Sequence, residues 1–357
     1  MKIDLDFFLE LLRIPSVTDD IPQVNRAVGA MRAWLEARGV FCETETMPDG
    51  REFLYASVAK GERTPKLLLN AHLDVVPAAP GQFEPRVEDG NVTARGTSDC
   101  KGNAVAAATA LAALAGSGAS VGAVFSTDEE EGGTTSGEAV RRGFRASVLT
   151  LVLDAGPWSI TYSQKGIVSL RLVAKGAGGH SSEPWRFDNP IDKLFEGWTR
   201  LREAWPAIAD EKEHWGDSLA ATVVRAGSVH NQIPNEASMV ANIRFVEPGA
   251  IPRIEAFVRE KSGLAVERLA TCEPVVCDAG APALVALREA MATAFGREIP
   301  MVRMHGATDA RHFGGPGAAP VAMIGVEGWR CHDEGEGATL SSVQAYADFL
   351  ADFARTL

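Results

Sequence analysis

The chain has 357 residues, 46% of them apolar and 23% charged, which is enough for two domains with packed cores and excludes a disordered or collagen-like chain. Lys and Arg total 35 against 47 Asp and Glu, a formal charge of −12, and this balance argues against nucleic acid as a partner, since phosphate binding needs a basic surface. Cys42, Cys100, Cys272, Cys277 and Cys331 are odd in number and scattered, which excludes a disulfide scaffold and suits reduced thiols in a cytoplasmic protein.

The first six residues carry acids where a secretion signal would carry bases, and the longest apolar tract is too short to span a bilayer, so no membrane partner is expected. Apolar residues at helical spacing predict helices over 3–12 and 24–37, the first stopping before Pro15. Residues 66–72 read as a buried strand running into a loop. An Ala- and Leu-rich helix is expected over 102–115, ended by Gly116. A strand at 121–126, an acidic loop, a helix near 137–142 and an apolar strand at 148–153 follow. Strands alternating with helices predict an α/β domain with a mostly parallel sheet.

From about Gln164 the texture changes. Half-buried strands are expected at 167–175, 220–226 and 237–245, with helices at 190–204 and 252–261. This β-α-β-β-α run predicts a small α+β, ferredoxin-like domain. Beyond Cys277 the α/β texture returns, with a helix at 283–295 and a strand at 318–324. The expected organisation is one α/β domain of residues 1–163 and 277–357, interrupted by a smaller domain of residues 164–276.

Acids and histidines fall where these strands end. His72 and Asp74 follow the strand at 66–72, Glu129 and Glu130 the strand at 121–126, and Asp154 the strand at 148–153. Asp99 lies in a glycine-bounded loop, Arg95 to Gly102, before the Ala-rich helix. In open α/β sheets ligands bind beyond the carboxyl ends of the strands, so these residues share one rim. With His332 they supply imidazole and carboxylate ligands that suit zinc, and a shared carboxylate can hold two ions close together. Asp74 is placed to accept a hydrogen bond from the second ring nitrogen of His72. Of Glu129 and Glu130, one can ligate metal while the other stays free as a base.

Several motifs, in order, resemble the acetylornithine deacetylase, succinyl-diaminopimelate desuccinylase and glutamate carboxypeptidase family of co-catalytic zinc hydrolases. They are Ala71-His72-Leu73-Asp74, Arg95-Gly96-Thr97-Ser98-Asp99, Thr127-Asp128-Glu129-Glu130 and Gly179-His180-Ser181-Ser182-Glu183-Pro184. Asn231-Gln232-Ile233-Pro234, Ile243-Arg244 and His332 with Glu336 complete the set. The resemblance implies two zinc ions per chain, replaceable by cobalt, with Asp99 bridging, His72 and Asp154 on one ion, and Glu130 and His332 on the other. It implies Glu129 as general base and Asp74 as the partner of His72. It also implies a homodimer in which His180 reaches the neighbouring subunit's site through a dimerisation or lid domain. Asn231, Arg244 and Thr308 resemble substrate-contacting positions. Cys100 and Asn103 depart from the usual methionine and glycine, but neither is a ligand position.

Each residue also has a plainer reading. His72 alone would be a structural histidine, the 128–131 run a solvated loop, His180 part of a serine-capped turn, and Arg244 half of a surface ion pair. The acids gathered at strand ends favour the site. His214, His230, His305 and His312 lack such company and are expected at the surface or in packing, and Cys100 and Cys331 are expected to pack. The expected activity is hydrolysis of the amide of an N-acyl-amino acid or of a short peptide-like substrate. A carboxypeptidase or dipeptidase using the same machinery, and a non-catalytic binding protein on this scaffold, are the alternatives.

Overall fold

A computed structural model describes residues 1–210, 212–315 and 317–357. They form two compact units, one of Met1–Ser163, Cys277–Arg303 and Thr308–Leu357, the other of Gln164–Val276 with Met304–Ala307. The short 304–307 segment thus belongs with the second unit, whereas the sequence assigns it to the first.

In the first unit four parallel strands stand side by side in the order Val121–Ser126, Leu67–His72, Leu149–Val152 and Val321–Met323. All four are buried along their length, which is why they read as unbroken apolar runs rather than alternating ones. Strands Phe41–Thr46 and Glu52–Ser57 extend the sheet antiparallel beside Val121–Ser126. The Gly102–Leu114 helix is buried on nearly all sides, and its alanines let the sheet and the Leu340–Thr356 helix approach closely. That last helix was not anticipated. Thr339 caps it, but Ala347, Ala351 and Ala354 thin out the apolar stripe that would have announced it.

The second unit is a four-stranded antiparallel sheet in the order Ser218–Ala226, Glu236–Phe245, Gly166–Lys175 and Ala265–Cys272. Helices Pro190–Ala204 and Ile251–Ser262 cover a core that includes Leu170, Leu194, Leu201, Ile243 and Val258. The Ala265–Cys272 strand completes a β-α-β-β-α-β unit; being an exposed edge with Glu267 and Arg268 at its middle, it carries no apolar alternation to betray it. Among the described residues no helix is long and apolar enough to cross a membrane.

Candidate metal centre

The parallel strands bring three loops to one end of the sheet. His72 is the last residue of its strand, with a buried ring. Its Nε2 lies 2.8 Å from Asp99 Oδ1, and its Nδ1 lies 3.0 Å from the Asp74 carbonyl oxygen and 3.4 Å from Asp74 Oδ1. The backbone carbonyl of Asp74 is therefore the closer partner, where the sequence suggests the carboxylate. Either acceptor places the proton on Nδ1 and leaves the Nε2 lone pair for a ligand bond. The buried Asp74 carboxylate is engaged elsewhere: it accepts from Thr18 Oγ1 at 2.9 Å and from the backbone N–H groups of Glu129 and Glu130 at 3.3 Å each.

On the other side, His332 Nε2 lies 3.2 Å from Asp99 Oδ2 and 3.0 Å from Glu130 Oε2. Two groups of potential ligands result among the described residues: His72 with Asp99 and Asp154, and Asp99 with Glu130 and His332, the ligand atoms of each group lying within 4.8 Å of one another. Asp99 is common to both. Glu129 is in neither, so the geometry separates the two adjacent glutamates.

The electrostatics describe a site short of positive charge. Burial, reinforced by Asp99, pushes Asp154 up to about 7. Burial raises Glu130 to about 7 and, with Asp154 adding to it, Glu129 to about 9. For Asp99 burial acts in the same sense, but hydrogen bonds from His332 and His72 outweigh it and hold the carboxyl well below the usual range. The hydrogen bond to Asp99 raises His332 to about 9. Glu130 Oε1 is buried with no hydrogen-bond partner. An orphaned carboxylate oxygen, mixed nitrogen and oxygen donors and a surplus of acid together fit a pair of divalent cations.

The loop that carries Asp99 is shaped from far away. Gly96 has φ +82°, and a Cβ there would sit 2.6 Å from Val75 Cγ1, so only glycine serves. The side chain of Glu336, fully buried, accepts from Arg95 Nη1 at 2.6 Å and from the backbone N–H groups of Gly96, Ser98 and Asp99 at 2.9, 3.0 and 3.0 Å, with Ser98 Oγ at 3.2 Å. Glu336→Gln would leave the buried Arg95 without a counter-charge and should cost about 3–5 kcal/mol in chemical denaturation of the metal-free protein. An unchanged midpoint would show that this carboxylate does not hold the loop.

Cys100 is buried and donates from Sγ to the Leu153 carbonyl at 2.9 Å. Cys331 is exposed, 3.4 Å from Ser98 Oγ, so it does not pack as expected, and neither thiol belongs to the ligand groups. Trp158 packs against Phe295 and Tyr346, while Trp185 is 77% exposed.

The remaining sequence candidates lie outside this cluster. Thr308, in the first unit, accepts from Ala310 N–H through Oγ1. His180, Asn231 and Arg244 belong to the second unit. There His180 sits in a two-residue strand paired with Gln232–Ile233, and the Asn231 carbonyl accepts from Ser181 N–H. Ser182 donates its N–H to His180 Nδ1 at 3.2 Å, with its Oγ 2.8 Å from the same atom, which leaves the neutral ring with its proton on Nε2. Arg244 donates from Nε to Asn242 Oδ1 at 3.2 Å. Sequence reading missed the hydrogen bonds behind the site: that of Thr18, and those of Asp309, in a loop resembling substrate-contacting positions, whose Oδ2 accepts from Ser126 and Ser136 Oγ at 2.6 Å each. No local pattern marks them.

The sequence profile of peptidase family M20/M25/M40 matches residues 68–356. A succinyl-diaminopimelate desuccinylase of Methylobacterium nodulans is 32% identical, the match covering 93% of this chain and 90% of that protein. Another, of Parvibaculum lavamentivorans, is 28% identical over 96% and 93%. Among solved structures, an M20 family metallo-carboxypeptidase of Sulfolobus solfataricus superposes with a TM-score of 0.82 at 16% identity, covering 99% of each chain. A dinuclear metal binding peptidase from the M20 family of Bacillus subtilis gives 0.67 at 17% identity over 98% of each.

Proposed function

The chain belongs to peptidase family M20/M25/M40 and is a metal-dependent hydrolase of amide bonds, and from that premise we propose that it is a di-zinc deacylase of N-acyl-amino acids. The observation that carries the reading is the pair of three-ligand groups sharing Asp99, with Glu129 beside them and outside both. His72, Asp99 and Asp154 would hold one ion, and Asp99, Glu130 and His332 the other, with cobalt able to replace zinc. When bound, two such ions supply Lewis-acid polarisation of the scissile carbonyl and water of lowered pKa.

The chain's own residues do the rest. Glu129 takes a proton from the attacking water and returns it to the departing amine; burial and the neighbouring Asp154 raise its affinity for that proton. Asp74 holds the Glu129–Glu130 turn through their backbone N–H groups and sets the tautomer of His72 through its carbonyl. His180, with its proton on Nε2, donates to the oxyanion. Arg244 and Asn231 grip the substrate's α-carboxylate, Arg244 by a charge-assisted hydrogen bond, and Thr308 contacts the substrate. The desuccinylase names of the relatives make a succinyl group the first acyl group to test.

The test is hydrolysis of succinyl-, acetyl- and glutamyl-amino acids and of dipeptides by metal-stripped protein, before and after zinc or cobalt is added back. We expect activity only after metal is restored, and highest on an acyl-amino acid. Full activity in metal-free protein would end the reading.

We further propose that the protein works in the cytoplasm as a homodimer, each site taking His180 from the partner subunit. His180→Ala and Glu129→Ala chains should each be nearly inactive. In a mixed dimer one site holds both groups and the other neither, and half the dimers are mixed after random exchange. About a quarter of wild-type activity should therefore return. No recovery from a demonstrated mixed dimer would place His180 in its own subunit's site or outside catalysis.

A further inference from the structure

Arg51 is 7% exposed and lies between the Phe41–Thr46 and Glu52–Ser57 strands, in a part of the sequence that carries none of the site motifs. Its Nε is 3.5 Å from Asp49, whose side chain is more than half exposed, so the ion pair is a loose one. The buried donor is used differently. Nη1 donates to the Thr18 carbonyl at 2.8 Å and to the Thr127 carbonyl at 2.6 Å.

Those two carbonyls belong to segments that meet at Asp74. Thr18 Oγ1 donates to Asp74 Oδ2, and the turn just after Thr127 presents the N–H groups of Glu129 and Glu130 to the same carboxylate. A closed ring results, running from Arg51 to Thr18, to Asp74, to the glutamate turn, and back through Thr127 to Arg51. Thr127 is fastened again by its N–H to Thr135 Oγ1 and by its Oγ1 to the carbonyl of Glu52, the residue after Arg51. Burying a guanidinium away from a good carboxylate partner is costly, and the two carbonyls that Nη1 binds are the contacts that offset the cost.

We infer that Arg51 is a positioning residue, setting the Glu129–Glu130 turn against Asp74 so that Glu130 meets its metal and Glu129 faces the water. The inference rests on the deacylase reading and deepens it. A mere loop staple would affect stability alone. A positioning residue must change metal affinity and turnover in the molecules that remain folded.

The test compares Arg51→Met and Arg51→Lys with the wild-type full-length chain. Cobalt affinity is read by competition with a chromophoric chelator, and kcat and KM on the folded fraction from gel filtration. Arg51→Met should weaken cobalt binding by roughly ten- to a hundredfold, the range for groups that orient ligands, and lower kcat while KM stays nearly constant. Arg51→Lys should recover part of both, because one ammonium can donate to both carbonyls. A folded Arg51→Met protein with wild-type affinity and kcat, whatever its melting temperature, would overturn the inference. Should Arg51→Met not fold, Thr18→Val cuts the same ring at its next bond; weakened cobalt binding is expected, and wild-type affinity and kcat would overturn the inference equally. A wild-type chain that binds no cobalt and hydrolyses nothing overturns the deacylase reading itself. A competent wild type beside unaffected variants overturns only the role of Arg51.

Discussion

Glu129→Gln should lower turnover by about a hundred- to ten-thousandfold, the range for a positioned proton-transfer group, while the protein keeps its metal and its fold. The amide is nearly isosteric and can still fill the half-buried position, but it has no carboxylate to receive the water's proton. Glu130→Gln is the matched control. Glu130 Oε2 lies 3.0 Å from His332 Nε2 and its other oxygen has no hydrogen-bond partner, so its loss should lower the affinity of one metal position. Metal content by elemental analysis, beside kcat on the same samples, separates the two. If Glu129→Gln loses metal and Glu130→Gln keeps it, the two roles are reversed.

Asp99→Ala should leave the chain unable to retain either ion, with metal content after gel filtration near zero and hydrolysis at background. The residue belongs to both ligand groups, so its removal leaves each with two members. Asp154→Ala and His332→Ala touch one group each and should retain about one ion more firmly than the other. Stability supplies a second reading. Asp99 pushes Asp154 and Glu130 upward. It also accepts from His72 and His332, and these contacts hold its carboxyl well below the usual range, so its charge is a net stabiliser of the metal-free fold. Metal-free Asp99→Ala should therefore melt below metal-free wild type near neutral pH. Two retained ions would show that Asp99 is not the shared ligand.

The legible parts of this molecule are those whose physics is local. Leu67-Leu68-Leu69-Asn70-Ala71-His72 announces a buried parallel strand by its unbroken apolar start, and the rule that ligands gather beyond strand ends then points to His72, Glu129, Glu130 and Asp154. Exposure hid other elements. The edge strand Ala265–Cys272 mixes charged and small residues because one side of its backbone faces solvent, and the Leu340–Thr356 helix contacts its neighbours through alanines as much as through leucine or phenylalanine. The supports of the site were hidden for a third reason. Thr18, Arg51 and Asp309 act through contacts across 56, 76 and 183 positions, and nothing near them in the chain differs from an ordinary surface threonine, turn arginine or loop aspartate. Glu336 stood out only by its distance from His332; that its carboxylate would gather the backbone of the Asp99 loop required the fold.

That reach from Glu336 back to residues 95–99 has a consequence for biosynthesis. The loop that carries Asp99 is emitted by the ribosome about 240 residues before the carboxylate that gives it shape. Until Glu336 arrives, the N–H groups of Gly96, Ser98 and Asp99 have only water to satisfy them, and His332 has not yet been delivered either. A nascent chain can therefore pair the strands at 67–72, 121–126 and 149–152 early and still lack the second group of candidate ligands. If these groups hold metal as proposed, capture waits on residues 332–336, so the contact that shapes the loop also sets when the centre can be loaded.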